Sequence, residues 1–440
     1  MKGKGRNNTA ARDHDGSHKE VLVGAVSSSF RFNPFTHKPH HVSKAHGCRI
    51  TDSSGKEFID FFMGNGAALL GHDRPEIMDA IRRTVELGFV AEFDCELNLT
   101  LARRIAELIP SAEGVRFTNS GSESTALAMR LARGFTGRDL IVRLDGHFHG
   151  NHDYVLFNNL AAYRDRENKG GKESAHVLFS AGVPKSTRES VVVIPWQDLE
   201  ALEHAIHKFG DRLAGIILNP VDYNNGCITA DREYLSQVNE MCHENGMVVI
   251  YDEILSGFRT GVTCAQGYYG VTPDLTTLGK VLSNGVPLSA VGGREDIMYS
   301  IMREKYPVIS GGTFSGNLLG VSAAHAALSI LSADGFYDEY LARCDGFFRR
   351  LQSTLDEAGL PASVQWLGAG FYIYVGTRNK VDNYSDMDAV DKGLAERFFR
   401  ACIDRGVYFH TDFTVSAAHD EASLSDALDR IGDAAQSVMK

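Results

Sequence analysis

Between about residues 75 and 320 the chain alternates two textures. Stretches such as "RPEIMDAIRRTVELG" and "CELNLTLARRIAELIP" carry apolar residues at helical spacing and stop near Gly or Pro. Among them stand short apolar runs bounded by turn residues: "VRFTNS", "DLIVRLD", "VVVIPW", "LAGIILNP" and "GMVVIYDEI". Strands of this kind alternating with helices predict a mainly parallel sheet with helices on both faces, the α/β class. Upstream, "HGCRITDSSGKEFIDFF" predicts two short strands about an Asp-Ser-Ser-Gly turn. After about residue 320, "LLGVSAAHAALSIL" and "FYDEYLARCDGFFRRLQSTLDEAG" read as consecutive helices. "FYIYVGT" then reads as a strand, and "GLAERFFRACIDRG" followed by "VYFH" as a helix and a strand. The expected organisation is a mobile polar terminus over 1–20, the N-terminal part of a small domain over 21–75, a large domain over 76–325, and the C-terminal part of a small α+β domain over 326–440. "RENKGGKESAHVLFSAGVPKS" reads as a long loop, and loops of that length inside a compact domain often serve as lids or binding loops.

Composition narrows the function classes. The 440 residues are 43% apolar and 23% charged, which fits a soluble globular protein. A net charge of −11 and the lack of a dense basic run argue against a nucleic-acid partner or an anionic membrane surface. No run of about 20 apolar residues reads as a membrane span, and "MKGKGRNNTAARDHDGSHKE" has no apolar core of a signal peptide, so a cytoplasmic location is expected. The seven cysteines form no C-x-x-C pair, which points to reduced thiols rather than a disulfide framework or zinc ribbon.

Four features carry candidate chemistry. In "VRFTNSGSESTALAMRLARGFTG" a strand runs into Gly121 and Ser122 at a helix start, where unpaired N–H groups and the positive dipole end suit a phosphate; an ordinary N-cap explains the same residues. Asp252 ends a continuous apolar strand, the edge of a parallel sheet where ligands bind; it is either solvated there or paired with a cationic ligand group. "DGHFHGNHDY" sets His147, His149 and His152 at a spacing that occurs in metal sites, but no carboxylate ligand is fixed beside them and a polar loop is preferred, so no metal is expected. Lys280 follows "PDLTTLG" amid small residues; it is either a surface lysine or, if desolvated, a nucleophilic amine able to form a Schiff base. A phosphate-cradling turn, a strand ending in Asp and a lysine among small residues, in that order, are the parts a pyridoxal 5'-phosphate site needs.

Taken in order, "NSGSES", "GHFHG", "VVIYDEILSGFR", "TPDLTTLGK" and "GGTFSGNLLG" resemble the class III aminotransferases, most closely the branch containing glutamate-1-semialdehyde 2,1-aminomutase. The likeness runs from about residue 30 to the end. It implies the fold type I architecture of pyridoxal-phosphate transferases, with a mainly parallel seven-stranded-type sheet in the large domain and a small domain from both termini. It further implies that Lys280 holds the cofactor as the internal aldimine and then moves a proton, and that Asp252 pairs with the pyridine nitrogen. Phe148 and Ile254 would cover the two ring faces, Gly121 and Ser122 would bind the phosphate, and Asn224 would lie near the cofactor's 3′-oxygen. Thr313 would reach the phosphate of a neighbouring subunit in a homodimer, and Arg31 would bind a substrate carboxylate, unless it is an exposed arginine on a flexible strand.

Departures concern substrate more than cofactor. Leu255 stands where many relatives have glutamine, Asn224 where many have glutamate, and Asn219 where most have glutamate before proline. "GVYFHTDFTVSAAHDEASL" lacks both the switch arginine of dicarboxylate-handling relatives and the "APS-x-FE" stretch expected of an aminomutase. The expected activity is transfer of an amino group from an amino-acid donor to a carbonyl acceptor. An intramolecular 2,1-aminomutase is the alternative, favoured if residues 155 to 185 seal the site, and a noncatalytic subunit of the same fold ranks behind both.

Overall fold

The structure, a computed structural model, describes residues 21–88, 92–159 and 177–440. The terminus expected to be mobile and most of the long loop lie outside those residues.

Seven strands form the central sheet, in the spatial order Gly114–Thr118, Ser289–Gly293, Leu275–Leu278, Val248–Asp252, Leu213–Leu218, Leu140–Leu144, Val191–Ile194. Only Ser289–Gly293 runs antiparallel to its neighbours. The inner parallel strands are mostly apolar because both faces are covered, with Arg143, Asp252, Thr276 and Thr277 as the exceptions. Val249 and Tyr251 pack into one core with Ile216 and Leu218, whereas Val248 and Ile250 pack into another with Leu127 and Leu131 of the helix Gly121–Thr136. Helices start where a side-chain oxygen satisfies a first-turn N–H. Ser120, Asp198, Asp231, Asn317, Asp391 and Asp420 each cap one in this way.

Both ends of the chain build the smaller sheets. Val42–His46, Arg49–Asp52 and Glu57–Asp60 form an antiparallel meander, and Val407–Tyr408 adds alongside Glu57–Asp60 in parallel. A second sheet joins Ala362–Leu367, Gly370–Val375 and Phe413–Thr414. Phe61, Phe347, Phe348, Phe371, Phe409 and Phe413 meet in an aromatic core beneath them. The expected domain division at 325/326 falls inside the helix Leu318–Leu331. That helix buries Leu318, Val321, Ala324, Leu328 and Leu331 against the core. Among the described residues no single helix is long and apolar enough to cross a membrane.

Candidate active site

Five parallel strands end at one edge of the central sheet, and the residues at or just after those ends line a cavity of about 300 Å³. Ser120, Gly121 and Ser122 follow Gly114–Thr118; Phe148 and His149 follow Leu140–Leu144; Asn219 follows Leu213–Leu218. Asp252 closes its own strand, and Lys280 follows Leu275–Leu278. Asn224 and Ile254 complete the expected set on the wall.

Asp252 is 2% exposed, so its carboxylate must be satisfied from within. His149 Nδ1 lies 2.8 Å from Oδ2, while Thr277 Oγ1 at 3.0 Å and the Ile254 N–H at 3.1 Å donate to Oδ1. Burial, the largest influence, lowers the proton affinity of His149 against the opposing pull of Asp252, which favours the neutral ring with Nδ1 set against the carboxylate. His147 uses Nδ1 to accept the Asn219 N–H at 3.0 Å, and His152 Nε2 meets Thr125 Oγ1 at 3.2 Å. The three histidines, His147 and His149 buried and His152 half-buried, thus act as polar links around the strand ends. Among the described residues no group of three or more His, Cys, Asp or Glu side chains gathers as a metal site.

Lys280 opens a short 3-10 turn with φ of 47°, in the left-handed region that a non-glycine residue adopts only when its surroundings impose it. Burial, the largest influence, brings its amine down to about 8; Asp412 and Asp252 oppose the shift and Arg259 adds to it. A substantial neutral fraction at neutral pH makes this amine a competent nucleophile. Asp274, the acid nearest in sequence, plays no part. It sits at the opposite edge of the sheet, where it accepts from Arg294 at 2.8 Å and pairs with His243 at 3.0 Å.

The floor of the cavity is shaped by two close approaches. A Cβ on Gly121 would stand 3.0 to 3.2 Å from Ile254, and one on Gly150, whose φ is +108°, would stand 2.7 Å from Ser122 Oγ. Ser122 Oγ accepts the Asn151 N–H at 2.8 Å, which ties the loop carrying Phe148 and His149 to the helix start. The helix Gly121–Thr136 leaves first-turn N–H groups directed at that floor. The sequence model of the family Aminotransferase class-III matches residues 33–431. This chain belongs to the class III aminotransferases. It is 37% identical over 420 residues to a glutamate-1-semialdehyde 2,1-aminomutase of Methanobrevibacter smithii, covering 94% of this chain and 95% of that protein. Its fold is similar to that of an omega-transaminase from Sphaerobacter thermophilus, with a TM-score of 0.87, 27% identity and 96% of each chain covered. A beta-phenylalanine aminotransferase from Variovorax paradoxus gives a TM-score of 0.82 at 25% identity, covering 94% of this chain and 91% of the other.

Enzymes of this class use pyridoxal 5'-phosphate, and the residues here fit it. The glycine-lined floor at a helix N-terminus suits the phosphate, and a half-buried lysine with a depressed proton affinity suits the aldehyde. A carboxylate held by three donors suits a protonated ring nitrogen, and Phe148 and Ile254 on the cavity wall suit the ring faces.

Two expected residues stand outside this wall. Arg31 is exposed in the turn Ser29–Arg31, whose Phe30 packs edge-on to Phe148 at 5.6 Å. Thr313 is exposed too; it lines an adjoining cavity of about 570 Å³ that shares Asn119, Val286 and Pro287 with the first. Sequence reasoning missed His149 and Thr277 as partners of Asp252, and missed Asn65 and Asp412. Thr277 was in principle detectable, as one of two adjacent threonines in the strand Leu275–Leu278.

Proposed function

We propose that this enzyme moves an amino group from an amino-acid donor to a carbonyl acceptor in two half-reactions. The observation that carries the reading is the convergence of half-buried Lys280, buried Asp252 and the glycine-lined helix start on one cavity. When bound, pyridoxal phosphate supplies an aldehyde that captures amines and a ring that accepts electrons from the substrate's α-carbon. Ser122 and the first-turn amides bind the phosphate, while Phe148 and Ile254 hold the ring flat. His149 and Thr277 fix the Asp252 carboxylate so that its charge stays opposite the ring nitrogen. The Lys280 amine, partly neutral near pH 7, would take the proton from the substrate's α-carbon and hand it, across the shared nitrogen, to the carbon that was the cofactor's aldehyde.

The intramolecular 2,1-aminomutase is the second reading, and the 37% identity to such an enzyme favours it. Against it stands "HTDFT" where the "APS-x-FE" stretch is expected. The residues proposed to seal the site, 155 to 185, lie largely outside the described ones. We also propose a homodimer in which Thr313 serves the partner's phosphate. Support comes from the exposed apolar side chains of Phe93 and Phe314, which line the adjoining cavity together with Thr313.

The cofactor-loaded protein is mixed with single amino-acid donors and its absorbance followed. Conversion to the amine form of the cofactor, reversed by a carbonyl acceptor, supports transfer. Glutamate-1-semialdehyde turned into 5-aminolevulinate without exchange of the intermediate supports the mutase instead. A protein that stays colourless with added cofactor overturns both and leaves a noncatalytic subunit.

A further inference from the structure

Part of the cavity wall is made by Asn65, within the segment Met63–Gly66, and by Ala67 just after it. Met63, Gly64, Asn65 and Gly66 all have positive φ, at 48°, 64°, 60° and 68°, so the segment is held in place by its partners rather than by its own preferences. Two such partners come from elsewhere in the chain. Arg259 Nη2 donates to the Gly66 carbonyl at 2.7 Å, and Asp412, just ahead of the strand Phe413–Thr414, receives the Asn65 amide. With the amide turned to satisfy the carboxylate, its nitrogen donates to both Asp412 oxygens, one of them at 3.2 Å. Asn65 lines the cavity, and what it has left to offer there is its carbonyl oxygen, a hydrogen-bond acceptor. Asp412 is 3% exposed and Arg259 is fully buried; neither lines the cavity. Among the described lining residues the only lysine or arginine is Lys280, which the chemistry consumes.

We propose that Asp412, acting through Asn65, is a specificity-positioning residue that suits the site to a substrate whose far end donates hydrogen bonds, an amine or hydroxyl, and disfavours one carrying a carboxylate there. The proposal rests on the amino-transfer reading and adds the chemical class of the substrate. An asparagine locked by a carboxylate shows an acceptor to the cavity. Freed from that carboxylate, it can turn and show its amide N–H to an anion.

The test uses the cofactor-loaded protein and three single probes of one length: 1,4-diaminobutane, butylamine and 4-aminobutanoate. The absorbance change gives a second-order rate for each. The diamine is expected to react at least tenfold faster than 4-aminobutanoate. Asp412→Asn is expected to cut that ratio at least fivefold, beyond any common change that the altered Lys280 amine makes to all three rates. A second readout needs no cofactor: Lys280 in the cofactor-free protein is acetylated across pH and followed by mass spectrometry. Because the Asp412 charge raises the Lys280 proton affinity, Asp412→Asn shifts the labelling midpoint downward from about 8. Asp412→Ser, equally uncharged, repeats both measurements if the asparagine variant does not fold. A wild-type preference for 4-aminobutanoate, or a ratio or midpoint unchanged in the folded variant, overturns the proposal. If all three probes leave the spectrum unchanged while a single amino-acid donor changes it, the proposal is overturned and amino transfer stands; if no donor changes it, the amino-transfer reading fails.

Discussion

Asn219 replaces the glutamate that most relatives carry, and its surroundings predict what a carboxylate would do there. The side chain is 3% exposed, and its Nδ2 donates to the backbone carbonyl of Asp252 at 3.1 Å. Asn219→Asp keeps the shape and replaces that donor with an oxygen facing an oxygen. The lost hydrogen bond costs about 1 kcal/mol, and an uncompensated buried charge costs about 3–5 kcal/mol. The new group escapes the larger cost by staying protonated, so its folded-state pKa rises by roughly 2–4 units above an ordinary aspartate near 4. The sign follows from proton linkage. A carboxyl raised in the folded state binds more protons there than in the unfolded chain, so the variant's deficit is full above that raised pKa and shrinks as pH falls through it. Urea denaturation of wild type and variant, cofactor-free and at equal concentration, measures the deficit at pH 8.5 and at pH 5.5. The expected outcome is a deficit of about 3 kcal/mol or more at pH 8.5 and a clearly smaller one at pH 5.5. A deficit below 1 kcal/mol, or one equal at the two pH values, refutes the assignment of Asn219 as a neutral donor to the strand end.

Three further outcomes are expected. Gly150→Ala places a Cβ 2.7 Å from Ser122 Oγ at a φ of +108°, so it should cost about 1–3 kcal/mol in thermal melts and weaken cofactor binding in an absorbance titration. Thr277→Val removes one donor from the buried Asp252 carboxylate without changing shape; cofactor affinity should fall roughly tenfold or more, a loss of about 1.5–3 kcal/mol, with the melting curve of the cofactor-free protein showing a matching decrease. Asp222, pushed up to about 6 by burial despite bonds from Tyr384 at 2.5 Å and Asn225 at 2.6 Å, binds a proton in the folded state that the unfolded chain releases. Its contribution therefore makes the wild type about 1 kcal/mol more stable at pH 5 than at pH 7, a gain that Asp222→Asn should abolish in paired urea titrations.

The elements of the fold were largely legible in the sequence because their causes are local. Apolar runs flanked by turn residues located five strands, and "LLGVSAAHAALSIL" matches the helix Leu318–Leu331 residue for residue. The strand Ser289–Gly293 was not found, since "SAVGG" has a single β-branched residue and nothing in it reports an antiparallel neighbour. The order Gly121, Asp252, Lys280 along the chain was enough to indicate the cofactor, because each residue sits at the end of its own strand and strand ends in a parallel sheet converge. What those groups meet there was decided only by the tertiary structure. Whether Lys280 is an ordinary cation or a nucleophile depends on burial and on Asp412 and Arg259, which arrive from distant segments. Likewise, nothing along the chain places Asp412 behind Asn65; packing alone brings the two together. Spacing along a chain encodes periodicity and strand ends; the dielectric surroundings and hydrogen-bond partners of a buried charge are set by elements remote in sequence, and these only packing brings together.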